Sequence, residues 1–343
     1  MIDYALLRRL CAANGVSGDE SSIRDIIISE IQEYADEIKI DNLGNLLVHK
    51  KGRFPAKQKL MLSAHMDEVG LMVTDITSDG FLKFDEIGGL DRRVIFGKRV
   101  RVGREGVAGV VGVKPVHLTR GDENAAIPPY SDMYIDIGAD SREEAHQLVS
   151  IGDSVCFDSE CIENDNMICT KALDDRFGCL VLIALIQSDL QYDTEFAFVV
   201  QEEVGLRGAK VAAYNLRPQA ALVIETTTAA DIPEIEPQKQ VCVLGEGAVI
   251  SVMDRTTIYD KKLVKAAFET AEETGVRAQY KRAVAGGNDA GIIHKSNGGV
   301  RTLTISLACR YLHASHCMAS KADCESVMCL AAQMAERMAG GDV

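Results

Sequence analysis

The sequence predicts an α/β fold in which a mostly parallel sheet is flanked by helices and interrupted by one β-rich insertion. Helical segments alternate with apolar strands in both end regions of the chain, which is typical of a parallel sheet covered on both faces. Between these regions, short strands separated by glycine-rich turns indicate an all-β segment. We therefore expect a discontinuous α/β domain over residues 1–67 and 165–343, and an inserted β-rich domain over residues 68–164.

The first 67 residues predict two helices followed by strands. In the second helix, Ile23, Ile27, Ile31 and Tyr34 recur at helical spacing and predict one buried face. The stretch EIKIDNLGNLLVHK predicts two short strands around an Asn-Leu-Gly-Asn turn. The stretch KLMLSAHMD then predicts a buried strand that ends in charged residues.

The remaining elements follow the same two patterns. Within the insertion, SREEAHQLV predicts a helix, and six strands are predicted from GLMVTDI, GFLKFDEI, KRVRVG, GVAGVVGV, MYIDIG and DSVCFD. The polar stretch HLTRGDENAAIPPYSD contains two prolines and predicts a mobile loop. After residue 165, strands are predicted from TEFAFVVQEE, QAALVIETT and RTLTISLA, and helices from RFGCLVLIALIQS, LRGAKVAAYNL, DKKLVKAAFETAEETG and KADCESVMCLAAQMAERMAG.

Charge and composition exclude several classes of function. The net charge of -14 argues against nonspecific binding to nucleic acid or to an anionic membrane, because both require basic surface. The longest apolar run, around CLVLIALI, is too short to cross a bilayer. The N-terminal stretch lacks the features of a signal peptide, and the ten cysteines include no CxxC pair. We therefore expect a cytoplasmic protein with reduced thiols.

Histidines and carboxylates follow four of the predicted strands and begin one predicted helix. A single acidic strand end is more often solvated or a helix cap. In an open α/β sheet, however, ligands bind beyond the carboxyl ends of the strands, so several such ends point to one shared site. The residues at these positions are His65, Asp67, Asp174, Asp175, Glu202, Glu203, Glu225 and His313.

These side chains predict a metal centre. Oxygen and imidazole donors without thiolate suit zinc, cobalt or manganese. One carboxylate can bridge two such ions roughly 3.5–4 Å apart, and carboxylates that converge without a cation would repel one another. We therefore expect two divalent cations per subunit, Zn2+ or Co2+, with Mn2+ as a further candidate.

Six stretches together resemble one known family. AHMDEVG, KALDDRFG, VQEEVGLRGA, VMDRTTIYD, GGNDAGIIH and RYLH resemble, in the same order, the motifs of the deblocking, or tetrahedral (TET), aminopeptidases, which include glutamyl aminopeptidases. The resemblance covers nearly the whole chain. It implies a zinc exopeptidase-like catalytic domain, an inserted small β-barrel-like domain for dimerisation and substrate gating, short peptide substrates, and a homo-oligomer: a dimer, or a dodecamer of six dimers.

The resemblance also implies a role for each metal-binding residue. The first metal would be bound by His65 and Glu225, and the second by Glu203 and His313. Asp174 would bridge both metals, and relatives hold the peptide bond that follows it in the cis form. The family usually has Asp at the position of Glu225, so we expect a functional site with slightly altered geometry.

Two further residues complete the implied site. Asp67 resembles the carboxylate that orients the ring of His65. Adjacent side chains on a strand point to opposite sides, so we expect Glu202 and Glu203 to differ in role, one as general base and the other as ligand. Glu202 resembles the base, which would take a proton from water and pass it to the leaving amine.

Alternatives to a metal-dependent aminopeptidase remain. The same scaffold could carry a deacylase or another exopeptidase. An endoglucanase-like glycoside hydrolase is a further alternative, although that chemistry needs two opposed carboxylic acids and no metal. A non-catalytic metal-binding protein would have no use for the free base Glu202. We interpret His316 as a surface residue, and Asp289 as the capping residue of a glycine-rich turn.

Overall fold

The computed structural model describes residues 2–119 and 126–343. This part of the chain forms a large mixed sheet flanked by helices and a closed six-stranded barrel, so the predicted fold class is confirmed. No helix in the described residues is long and apolar enough to cross a membrane. The helices are α1 (Tyr4–Ala12), α2 (Ser21–Ile31), α3 (Arg142–Leu148), α4 (Leu173–Gln187), α5 (Arg207–Leu216), α6 (Lys261–Thr274), α7 (Ala290–Ile293) and α8 (Lys321–Ala339).

The strands alternate with these helices at both ends of the chain and cluster in its middle. The first nine are β1 (Glu37–Ile40), β2 (Leu46–Lys50), β3 (Leu60–His65), β4 (Gly70–Ile76), β5 (Leu82–Ile87), β6 (Arg99–Val102), β7 (Val107–Gly112), β8 (Tyr134–Asp136) and β9 (Ser154–Phe157). The others are β10 (Ile162–Glu163), β11 (Met167–Thr170), β12 (Thr194–Val199), β13 (Ala220–Thr228), β14 (Ala248–Ile250), β15 (Ala278–Tyr280), β16 (Arg301–Cys309) and β17 (Cys317–Ser320).

The large sheet has the strand order β1-β2-β12-β3-β13-β16-β14-β15. Its four central strands, β12, β3, β13 and β16, are parallel to one another. Helix α4 packs on β3 and β13, α8 on β14 and β16, and α5 on β12. Every residue of β3 is buried, as expected for apolar strands covered on both faces.

The register of the central strands brings their carboxyl ends together. Val199 of β12 is paired with His65 of β3, and Val223 of β13 is paired with Ser63. Glu225, two residues after Val223, is therefore level with His65. The chain that leaves β12 also starts from this level, so the predicted ligands share one edge of the sheet.

The barrel has the strand order β4-β5-β8-β7-β6-β9 and is closed. Closure removes the free strand edges that six short strands would otherwise expose. Its apolar core is separate from the core around the large sheet. Strands β10, β11 and β17 form a third, three-stranded sheet next to these two units. The predicted domain boundaries at residues 68 and 164 stay a prediction.

Two expectations about local structure need comment. Ile23, Ile27 and Ile31 are buried on α2, but Tyr34 lies beyond the end of that helix and is 47% exposed. The prediction for Tyr34 is wrong, because the helix ends before a fourth repeat can form. The predicted mobile loop lies partly at residues 120–125, outside the described residues.

Candidate metal centre

The first group of candidate ligands consists of His65, Asp174 and Glu225. The Nε2 atom of His65 lies 3.1 Å from Asp174 Oδ1 and 3.5 Å from Glu225 Oε1. All three residues are buried, and one donor atom from each lies within 4.8 Å of the others. The spacing is compact enough for a single cation.

The second group shares Asp174 with the first and adds Glu203 and His313. The Nε2 atom of His313 lies 3.2 Å from Glu203 Oε1 and 3.4 Å from Asp174 Oδ2. Asp174 therefore turns one oxygen toward His65 and the other toward His313. A carboxylate that bridges two cations needs this arrangement.

The Glu202–Glu203 pair does not lie on a strand. Strand β12 ends at Val199, and Gln201 has a φ of 55°, which turns the chain before the two glutamates. The argument from alternating strand side chains is therefore wrong for this pair, since it applies only to extended backbone. Both glutamates come within reach of His65, with donor atoms inside 4.8 Å.

The carboxylate of Asp67 holds this turn in place. Its Oδ1 accepts a hydrogen bond from the backbone N–H of Glu202 at 2.9 Å, and its Oδ2 accepts one from that of Glu203 at 3.1 Å. Ser17 Oγ donates a third bond at 2.6 Å. The ring Nδ1 of His65 lies 3.0 Å from the carbonyl oxygen of Asp67 and 3.5 Å from its carboxylate. Asp67 thus contacts both the histidine and the glutamate turn.

Asp175 points away from the candidate ligands. Its Oδ2 accepts from the backbone N–H of His65 at 3.3 Å, and its Oδ1 accepts from that of Gly178 at 3.0 Å. A Cβ atom at Gly178 would lie 2.2 Å from Asp175 Oδ2, so only glycine fits there. The peptide bond between Asp174 and Asp175 is cis, which confirms that expectation. Asp175 fixes the backbone, and Asp174 is left facing the two histidines.

A buried ion network lies behind the ligands. Lys171 Nζ donates to both carboxylate oxygens of Glu68, at 2.6 and 2.8 Å, and Arg176 Nη2 lies 3.3 Å from one of them. Arg176 is fully buried and also donates to backbone carbonyl groups. The network joins the segment after Asp67 to the segment around Asp174. The sequence analysis missed it, although these charges stand inside the motifs AHMDEVG and KALDDRFG.

The inserted segment also contacts the site. The Nδ1 atom of His313 lies 2.9 Å from the carbonyl oxygen of Gly89, in the segment between β5 and β6. A Cβ atom at Gly88 would lie 3.2 Å from Cβ of Glu203, so backbone and ligand approach closely there. The sequence carries no signal for the first contact, because any residue at position 89 would supply a carbonyl group.

The electrostatics of the site favour bound cations. Burial raises the pKa of Glu225 to about 8, and repulsion from Asp174 adds to the increase. Burial also raises the pKa of Glu202 well above its usual range. At His313, burial alone would lower the pKa, but Asp174 and Glu203 raise it to about 12. Without cations, protons must compensate the clustered carboxylates, and divalent cations would replace those protons.

The donor set fits zinc, cobalt or manganese. All candidate donors are oxygen or imidazole nitrogen. The contact between Glu203 Oε1 and His313 lacks hydrogen-bond geometry, and that buried oxygen accepts no hydrogen bond from the described residues. A buried oxygen without a partner is costly, and a cation would supply the missing interaction.

His316 and Asp289 lie outside both ligand groups, and the sequence analysis assigned neither of them to the metal site. His316 is half-buried, its Nδ1 lies 3.3 Å from Ser315 Oγ, and it belongs to none of the ligand groups in the described residues. Asp289 precedes α7, but its side chain does not cap the helix, so that interpretation is wrong. It is 1% exposed, and neither carboxylate oxygen has a hydrogen-bond donor within the described ranges. Burial raises its pKa to about 7.

Comparison with known sequences identifies relatives over most of the chain. The sequence profile of the M42 glutamyl aminopeptidase family matches residues 44–330. A candidate aminopeptidase of Acetivibrio thermocellus is 42% identical, over 93% of this chain and 94% of its own length. The lysyl aminopeptidase of Pyrococcus furiosus is 33% identical over 98% of each chain. The glutamyl aminopeptidase of Lactococcus lactis is 32% identical, over 90% of this chain and 88% of its own.

Solved structures agree with the sequence comparison. A TET aminopeptidase from a marine sediment archaeon of the Thaumarchaeota has a TM-score of 0.93 at 33% identity, over 98% of this chain and 96% of its own. The TET1 peptidase of Pyrococcus horikoshii has a TM-score of 0.85 at 34% identity, over 98% of each chain. A protein of Thermotoga maritima named as an endoglucanase has a TM-score of 0.82 at 36% identity, again over 98% of each chain.

The buried ion network yields a prediction about stability. In Glu68→Gln, Lys171 and Arg176 lose their shared anion, and two buried cations remain without a carboxylate. We expect the free energy of unfolding to fall by about 3–5 kcal/mol, the loss usual for a broken buried ion pair. Denaturant titration of metal-loaded protein at one fixed concentration measures the change.

The matched control is Glu269→Gln. Glu269 pairs with Lys265 at 3.2 Å, but the two side chains are 45% and 77% exposed. Exposed pairs contribute little, so we expect a loss of about 0.5 kcal/mol or less. Equal losses in the two variants would contradict the role assigned to Glu68.

Proposed function

Since this chain belongs to the M42 glutamyl aminopeptidase family, we propose that it is a dinuclear metal-dependent aminopeptidase that removes N-terminal residues from short peptides. The observation that carries the proposal is the Asp174 carboxylate, which faces His65 with one oxygen at 3.1 Å and His313 with the other at 3.4 Å. A single-metal site would have no use for a carboxylate shared in this way.

The proposed ligands divide between two cations. His65 and Glu225 would hold one cation, Glu203 and His313 the other, and Asp174 both. Zinc, cobalt and manganese fit this donor set. Cations bound there would activate water and polarise the peptide carbonyl group. The glutamate at position 225, one methylene longer than the aspartate usual in the family, has Oε1 3.5 Å from His65 Nε2.

Glu202 is the proposed general base. Burial raises its pKa, and a raised pKa brings a carboxylate closer to the value at which it can both accept and return a proton near neutral pH. The Asp67 carboxylate fixes the turn that carries Glu202. Glu202 would take a proton from the attacking water and pass it to the leaving amine.

Two other hydrolases deserve comparison. The structural neighbour named as an endoglucanase raises glycoside hydrolysis as a second candidate. That reaction uses two opposed carboxylic acids and no metal, so the two histidines that lie 3.1–3.5 Å from carboxylates would have no role in it. A metal-dependent deacylase would use the same ligands, and only a substrate panel separates it from an aminopeptidase.

We also propose that the inserted domain, residues 68–164, assembles subunits and restricts access to the site. Its large apolar side chains Phe96, Val116 and Leu118 are 41%, 77% and 56% exposed, and exposed apolar side chains are typical of protein interfaces. The TET1 peptidase of Pyrococcus horikoshii assembles into a tetrahedron or a large octahedral shell. A dimer, and a dodecamer of six dimers, would fit this pattern. The cytoplasmic location stays a prediction.

Metal removal is the first test of this function. Chelation should abolish hydrolysis of aminoacyl p-nitroanilides and lower the melting temperature, because cations bind only the folded site and neutralise its carboxylates. Elemental analysis should give two ions per chain. Separate reloading with zinc, cobalt and manganese shows which ion restores the rate. Full activity in protein shown to be free of metal would contradict the proposal.

Glu202→Gln and Glu203→Gln form a matched pair. Glu202→Gln removes the proposed base without removing a proposed ligand, so kcat should fall by ~10²–10⁴ while metal content stays at the wild-type value. Glu203→Gln should lower metal occupancy together with activity. Elemental analysis and kinetics of both variants distinguish the base from the ligand. If Glu202→Gln lost metal and Glu203→Gln kept it, the two roles would have to be exchanged.

Light scattering tests the assembly. Metal-loaded protein should have the mass of a dimer or of a larger multiple up to the dodecamer. Val116→Asp combined with Leu118→Asp should shift the mass downward, because charge in an apolar interface is costly. The control Ile258→Asp changes a side chain that is 76% exposed outside the insertion and should keep the mass. A wild-type monomer at micromolar concentration with full activity would contradict the proposal.

A further inference from the structure

A second functional element adjoins the metal centre. A cavity of about 130 Å³ is lined on one side by the candidate ligands and on the other by residues 226–228, Lys281 and residues 285–288. Lys281 directly follows β15 at the edge of the large sheet. It is the only lysine or arginine among the described residues that line this cavity. Within the described wall of this cavity, Lys281 is therefore the one lysine or arginine, and it is not a proposed metal ligand.

Among the residues that the structure describes, no anion pairs with Lys281. Lys281 is half-buried, and within residues 2–119 and 126–343 no carboxylate lies within ion-pair distance of its ammonium group. Lys171, the buried lysine of the ion network, contrasts with it in having two carboxylate oxygens within 2.8 Å. Burial lowers the pKa of Lys281, and the more distant carboxylates of Asp254 and Glu225 oppose that shift. A partly desolvated ammonium group without a partner is costly.

Neither of those two carboxylates is available to Lys281. Asp254 accepts a hydrogen bond from the hydroxyl of Tyr259 at 2.6 Å and from the backbone N–H groups of Thr256 and Thr257 at 2.7 and 2.8 Å. Glu225 faces His65 in the first ligand group. The anion that would complete the environment of Lys281 therefore has to enter with a ligand.

The rest of the wall is suited to a carboxylate. Thr227, Thr228, Gly286 and Gly287 line the cavity. In the part of the chain that the structure describes, the N–H groups of these two glycines donate to no backbone carbonyl group. Hydroxyl and N–H donors beside an ammonium group are the partners that an ionised carboxylate requires.

We propose that Lys281 selects substrates whose N-terminal residue is glutamate or aspartate, by binding the side-chain carboxylate. This inference rests on the proposed aminopeptidase function, which puts the carbonyl group of the N-terminal residue at the metal centre and turns its side chain to the cavity. Cavities of ~150 Å³ admit a benzene-sized ligand, so this one accepts a single side chain. Family membership does not decide the point, because relatives are named for lysyl as well as for glutamyl substrates.

A substrate carboxylate has two sources. It can be the side chain of an acidic N-terminal residue, or the C-terminal carboxylate of a very short peptide. The first source is favoured because Lys281 lines the same small cavity as the proposed metal ligands. Aminoacyl p-nitroanilides contain no C-terminal carboxylate, whereas the dipeptide Leu-Gly contains one, so these two kinds of substrate separate the sources.

The experiment compares wild type, Lys281→Met and Lys281→Arg, each loaded with the same metal. The measured quantity is the ratio of kcat/KM for glutamyl p-nitroanilide to kcat/KM for leucyl p-nitroanilide. Lys281→Met should lower this ratio by about tenfold or more, mainly through KM, because a charge-assisted contact is lost. Lys281→Arg should restore much of the ratio. The control Lys262→Met changes an exposed lysine on α6 and should keep it.

Other results would overturn the inference. One is an unchanged ratio of the two kcat/KM values in Lys281→Met. Another is an equal loss of kcat/KM for both p-nitroanilides at normal metal content, which would indicate a structural role for Lys281. Loss of Leu-Gly hydrolysis with an intact ratio would assign Lys281 to the C-terminal carboxylate instead.

Calorimetric titration with free glutamate and free leucine separates this inference from the proposed function. Both amino acids carry an α-carboxylate, so a difference in their dissociation constants reports only the side chain. If wild type binds glutamate more tightly than leucine and Lys281→Met loses this preference, the inference stands even when no p-nitroanilide is hydrolysed. In that case the proposed aminopeptidase function is the part that fails.

Discussion

The structure depends on one short side chain that has to face two histidines at once. Asp174 turns its oxygens toward His65, at the end of β3, and toward His313, beyond the end of β16. An aspartate has little freedom to adjust its reach, so the backbone around it must be fixed. Asp175 fixes that backbone by accepting hydrogen bonds from β3 and from Gly178 of α4, and a side chain at position 178 would collide with its carboxylate.

The stability of the metal-site region depends more on its buried charges than on its apolar packing. The carboxylates at the sheet edge repel one another when no cation is bound, which the pKa of Glu225, raised to about 8 by burial and by Asp174, makes plain. Directly behind them, Glu68 neutralises two fully buried cations, Lys171 and Arg176. An isolated buried ion pair is weak evidence for stability. Here the ions also tie two ligand-bearing segments together, so the network positions ligands as well as contributing to the core.

The sequence predicted those parts of the site that follow from periodicity and from the rule that ligands gather at the carboxyl ends of parallel strands. His65 and Glu225 follow long apolar strands, so both could be placed at one edge before the fold was known. The turn that carries Glu202 could not be predicted, because the left-handed backbone of Gln201 has no signature in residue type. The sequence analysis also missed Lys281. The strand before it, β15, has three residues, which are too few to show the alternation that predicts a strand.

The position of the insertion couples the barrel to the geometry of the site. The barrel begins directly after the β3 segment that carries His65 and Asp67, and the chain leaves its last strand, β9, to reach Asp174 through β10 and β11. A carbonyl group from the same segment, that of Gly89, lies 2.9 Å from the ring of His313. A displacement of the barrel would therefore also disturb the ring of a proposed ligand. Closure of the barrel on itself gives the insertion a rigid frame of its own, and a rigid frame is what a carbonyl group needs if it is to hold a histidine ring at a fixed orientation.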